Sequence, residues 1–124
     1  PAFIQHAFDA LLSRLAGLLQ GTAEQREILI VHQQILANGL RCAIRQRFPQ
    51  LPSRALTVGS FFSLDRALGQ EGDVRFRDER DFHRYLLAHP AAIVLGDALL
   101  ARAMPASFQG AQIDLPHAAL SGRF

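Results

Sequence analysis

The sequence predicts an α+β domain: an N-terminal helical hairpin packed on a small mixed sheet with short helices. Three observations carry that expectation. Apolar residues recur at helical spacing over residues 3–48. Beyond Pro49, short β-branched or alternating runs are separated by glycine and proline. The length, 124 residues, suits one domain and is too short for two ordinary ones. A chain of this size buries about two-thirds of its unfolded surface, so neither a metal nor a disulfide is required to hold it. The expected layout is a single domain over 1–124, with the hairpin at 3–48, an αβ part at 55–115 and a loose tail at 116–124.

The first helix is read from Ile4, Phe8, Leu11, Leu12, Leu15, Leu18 and Leu19, with Gln5, Asp9, Ser13 and Arg14 on the wet side. Gly21 ends it. Thr22-Ala23-Glu24-Gln25 reads as a capping box that opens a second helix running to Phe48, where Pro49 stops it. The polar stripe of that helix is narrow: Glu27, Gln34, Asn38, Arg41 and Arg45. Ile28, Leu29, Val31, Ile35, Leu36, Leu40, Cys42 and Ile44 occupy the rest, more apolar surface than one neighbouring helix covers. Asn38-Gly39 weakens the helix near its middle.

A linker over 50–54 leads to a strand over Ala55–Phe62, with Ser63 capping a short helix that holds Leu64 and Leu68. Asp73 to Arg77 alternates, Val74 and Phe76 on one side and Asp73, Arg75 and Arg77 on the other, as a half-buried strand does. Asp78 caps a helix through Phe82, Tyr85, Leu86 and Leu87 that stops before Pro90. Ala92–Leu95 reads as a strand and Asp97–Met104 as a short helix, although Ala91–Met104 fits one helix as well. Ala111–Leu115 reads as the last strand.

Composition narrows the class. Hydrophobic residues make up 49% and charged residues 19%, which excludes a disordered chain. Lysine is absent, and all 13 basic residues are arginine, the pattern of a GC-rich bacterial genome. A formal charge of +2 lacks the concentrated basic stripe of a nucleic-acid binder. No apolar run has the length of a membrane span. Cys42 is the one cysteine, so no intrachain disulfide can form, and a reducing cytoplasm is expected.

The most suggestive stretch for chemistry is Val58-Gly59-Ser60 followed by Gly72-Asp73-Val74-Arg75-Phe76. This order resembles the nucleotidyltransferase superfamily, in which a Gly-Ser pair at a strand end cradles phosphate and an Asp-x-Asp strand holds the divalent metal. The resemblance covers about twenty residues. It implies that Gly59 and Ser60 cradle phosphate and that Asp73 is the first metal ligand; Arg75 stands where the second carboxylate belongs. Read without it, Gly59-Ser60 is a strand-end turn and Asp73 a surface residue.

Arg75, Arg77, Arg80 and Arg84 offer a contact for an anion or a partner, but Asp73, Asp78, Glu79 and Asp81 neutralise them locally. Arg41, Arg45 and Arg47 give the second helix a basic end, which also suits its dipole. His6, His32, His83, His89 and His117 show no metal-ligand spacing, and neither a metal nor a cofactor is expected. Phe61, Phe62, Phe76 and Phe82 read as core. The expected function is a non-catalytic interaction domain that self-associates, or docks a protein partner, through its second helix. The alternatives are a degenerate nucleotidyltransferase-like nucleotide binder, a nucleic-acid binder through Arg41 and Arg45, and a small-molecule binder with a pocket between hairpin and sheet.

Overall fold

The computed structural model of the chain describes residues 2–20 and 26–115, and the side chains of residue 8 onward within them. In chain order the elements are α1 (Ala2–Leu19), β1 (Ile28–Val31), α2 (Gln34–Arg47), β2 (Leu56–Ser60), β3 (Val74–Arg75), α3 (Glu79–Ala88), β4 (Ile93–Gly96) and β5 (Ala111–Asp114). Two 3-10 turns, Ser53–Ala55 and Ala98–Ala103, precede β2 and β5. Helices and strands are mixed as expected, and the N-terminal helix packs on the sheet.

The second arm of the hairpin is a correction. Ile28–Val31 is a strand, and only Gln34–Arg47 is helical. All four residues of β1 are buried, which requires cover on both faces of the sheet. Apolar periodicity does not separate such a strand from a buried helix segment; the β-branched run Ile-Leu-Ile-Val does favour the strand. The Thr22–Gln25 capping box lies outside the described residues. α2 takes its cap instead from Gln33, whose Oε1 accepts the Leu36 amide at 3.1 Å. Asn38-Gly39 continues the helix without interruption.

The sheet is also a correction, because every pairing in it is parallel rather than mixed. Its order is β3-β2-β1-β4-β5. Alternation along the strands builds two cores. Ile28, Ile30, Leu56, Val58, Ile93 and Leu95 face α1 and α2, meeting Leu11, Leu15, Leu40 and Ile44. Leu29, Val31 and Val94 face the other way, onto Phe76 and the α3 residues Phe82 and Leu86. Burying each such side chain contributes about 1.5–3 kcal/mol relative to exposure.

No helix follows Ser63; residues 61–73 form an irregular connection between neighbouring parallel strands. The polar stripe of α2 holds it. The Gln34 amide donates to the Asp65 carbonyl at 2.9 Å and accepts the Asp65 amide at 2.8 Å. Asn38 donates to the Leu68 carbonyl, Arg41 to the Asp73 carboxylate and Arg45 to the Gln70 side chain. Residues 34, 38, 41 and 45 share one helix face, so a single stripe grips the whole connection. Gly72 turns it back with φ of 95°, a conformation that favours glycine.

The later elements follow the sequence reading closely. Asp78 accepts the amides of Arg80 and Asp81 and caps α3. β4 is followed by the 3-10 turn Ala98–Ala103, and β5 matches the last predicted strand. β3 is shorter than the predicted Asp73–Arg77, for reasons that lie in Asp73 itself.

Candidate functional site: a cleft where two strands part

In this strand order the chain leaves β1 through α2 towards β2, and leaves β4 in the opposite direction towards β5. Such a reversal opens a crevice beyond the carboxyl ends of the two strands, the usual ligand position in open parallel sheets. Here the divergence is visible in the ladder. The β1–β4 register ends at Ile30 opposite Leu95. Beyond it, His32 donates its backbone N–H to the Gly59 carbonyl on β2, and Leu115 donates to the Gly96 carbonyl on β4, alongside β5. Each strand keeps its outer neighbour and loses its inner one. His32 and Asp97 stand at equivalent positions, two residues past Ile30 and Leu95 respectively.

A cavity of about 330 Å³ lies there. Val31, His32 and Gln33 line it from β1, Phe61 and Phe62 from the end of β2, and Asp97, Leu100 and Leu115 from the β4–β5 side. Phe61 is braced from beneath, with its ring centroid 5.4 Å from that of Phe76 and 6.3 Å from that of Phe82. Phe62 is 65% exposed at the rim. Gly96 permits the shape: a Cβ there would sit 2.5 Å from Leu100 Cδ1, so the leucine could not fold over the strand end. Asp97 is fixed by its neighbours. Its Oδ1 accepts the Leu99 amide at 2.8 Å, and its carbonyl accepts the Gln112 side chain at 2.8 Å.

The residues singled out from sequence lie elsewhere. Gly59 and Ser60 are the last two residues of β2, buried and paired with β3 rather than set in a turn. A Cβ on Gly59 would meet the Phe76 ring at 2.5 Å, so the ring accounts for the glycine. Ser60 Oγ accepts the Phe62 amide at 3.0 Å. Asp73 is not a surface residue. Its Oδ1 accepts Arg41 Nη1 at 2.6 Å and the Val58 amide at 3.0 Å, and its Oδ2 accepts Arg41 Nη2 at 3.0 Å and the Gln70 amide at 2.9 Å. By taking the Val58 amide, the carboxylate replaces a backbone acceptor in the ladder, which lets β3 stay short. Burial pushes its pKa up, but the donors from Arg41, Gln70 and Val58 outweigh this and hold it below the ordinary carboxylate value. A cation could reach those oxygens only by displacing Arg41.

The arginines are similarly engaged. Arg41 also donates to Asn38, and Arg45 to Gln70. Arg77 pairs with Asp81, which also accepts from Arg84; Arg75 is exposed at the end of β3. Among the histidines, His83 Nδ1 lies 3.1 Å from the Ala103 carbonyl, and His89 pairs with Glu27 while stacking on Tyr85. Cys42 is exposed rather than buried, on the side of α2 away from the sheet. Among the described residues no three His, Cys, Asp or Glu side chains converge on a metal position, and no helix is long and apolar enough to cross a membrane.

His32 and Asp97 were missed as a pair because they are 65 residues apart in sequence. The available signal was two wholly apolar runs, Ile28–Val31 and Ile93–Gly96, each closed by a polar residue. Compared with protein families, curated proteins and solved structures, the chain matches none.

Proposed function

We propose that this is a small-molecule-binding domain whose ligand occupies the cleft between His32 and Asp97. The observation that carries the reading is the parting of β1 from β4 at the point where the crossovers reverse, with a cavity in the gap. Concave, mostly apolar sites with a few convergent polar groups are typical ligand positions, and a volume of about 330 Å³ is at the small end of their range. That size suits a molecule of one or two rings rather than a dinucleotide. The test is thermal melting against a library of one- and two-ring compounds, since a ligand that binds only the folded state raises Tm. Compounds that raise Tm and lose the effect in Phe62→Ala support the reading. A library without stabilisers, or stabilisation indifferent to Phe62, contradicts it.

Self-association remains a second reading, now supported by different residues. The continuous apolar rod that first motivated it is divided between β1 and α2. Ile35 at 64%, Phe62 at 65% and Leu68 at 48% exposure border a shallower depression beside the cleft. Light scattering that gives a dimer, reverted by Ile35→Glu, supports it; a monomer at high protein concentration contradicts it.

A further inference from the structure

On the reading that the cleft is a ligand site, its chemistry selects a class of ligand. We propose that it takes a small aromatic cation, a flat ring against Phe61 and Phe62 with a protonated amine directed to the Asp97 carboxylate.

The apolar part follows from the walls. Val31, Phe61, Leu100 and Leu115 surround the interior, and Phe62 stands exposed at its mouth. Phe61 cannot recede, because Phe76 and Phe82 lie behind it. An aromatic face held in place in this way prefers an offset or edge-on ring as its partner. A cation beside such faces gains further attraction from their quadrupoles.

The charge follows from the polar groups. No arginine lines the cleft, and Asp97 is the one carboxylate that does. Among the described residues its Oδ1 alone is engaged, by the Leu99 amide, and the carbonyl bond from Gln112 fixes the backbone that carries it. The second oxygen has no hydrogen bond among the described residues and is left for a donor. A phosphate fits poorly. The β1–α2 turn is Val31-His32-Gln33, without a glycine to let an anion approach the backbone. Gln33 spends its Oε1 on the first turn of α2, which leaves its Nε2 as a single neutral donor and no positive charge for an anion. An anion would also face Asp97 directly.

Three probes sharing one ring separate the possibilities: indole, tryptamine and indole-3-acetate, titrated by NMR into the full chain at pH 8, where an ordinary imidazole is neutral. Tryptamine is expected to bind about two- to fivefold more tightly than indole, as an ion pair to an exposed carboxylate implies, with indole-3-acetate the weakest. Asp97→Asn keeps the capping acceptor for Leu99 and is expected to remove the tryptamine advantage; unchanged β5 and α3 amides verify its fold. Indole-3-acetate binding as tightly as tryptamine, or an advantage that survives Asp97→Asn, overturns the charge assignment and leaves the cleft reading standing. Failure of all three to perturb the cleft overturns both.

Discussion

Arg41 and Asp73 form a two-pronged ion pair whose side chains are 3% and 5% exposed. It joins the middle of α2 to the start of β3, and two backbone amides share the carboxylate. A buried pair of this kind is costly to break, because the remaining charge keeps its neutral hydrogen-bond partners but loses its counter-charge in a site shielded from water. Asp73→Ala and Arg41→Ala are each expected to lose about 3–5 kcal/mol in urea unfolding. The double variant Arg41→Met/Asp73→Leu should lose less than either. Equal or greater loss in the double variant would contradict the account.

The same pair sets an acid limit. The folded Asp73 pKa lies below its unfolded value, so its contribution to stability is complete above the unfolded pKa, about 3.9. It is lost as pH falls through the folded value. Stability followed by urea midpoint should therefore decline below about pH 4, and Asp73→Asn should flatten that decline.

Asp81, half-buried beneath two exposed arginines, gives a second readout of pH. Its hydrogen bonds from the Arg77 guanidinium and from the Arg77 amide hold its pKa down to about 2. The carboxyl carbon should titrate by NMR with a midpoint about 2, and Arg77→Ala should move it up towards the ordinary range. The sign is that of Asp73: the interaction is present above the unfolded pKa and disappears as pH drops towards 2.

Two glycines differ in what a methyl group would strike. At Gly59 the obstacle is the Phe76 ring at 2.5 Å, a side chain packed in the core. Gly59→Ala is expected to cost about 1–3 kcal/mol by overpacking. At Gly110 the obstacle is the Ala92 carbonyl at 1.9 Å, backbone beside the β4–β5 ladder. Gly110→Ala should be the more damaging of the two in thermal melting. The reverse order would contradict the packing described for β2 and β5.

Local signals read well from sequence where capping or alternation sets them. Asp78 as the α3 cap and the last strand at 111–114 follow from neighbouring residues, whereas residues 91–104 fit a strand and a turn or one helix equally well, and the structure shows the strand at 93–96 followed by the 3-10 turn. Ile28–Val31 did not, because a strand buried on both faces loses the period-2 signature that identifies strands. Arg41 looked like a free basic end, because its partner Asp73 arrives from 32 residues away. The cleft depends on strand order, which no residue pattern here encodes. His32 and Asp97 become neighbours only once β3-β2-β1-β4-β5 is known.

The most direct test is to map amide shifts as indole saturates the isotope-labelled chain. A ligand seated where β1 and β4 part should move His32, Gln33, Phe62, Asp97 and Leu100 most, and leave the α3 surface around Arg80 and Arg84 unchanged. Shifts concentrated on Ile35 and Leu68, on α3, or nowhere would contradict a binding cleft at that point.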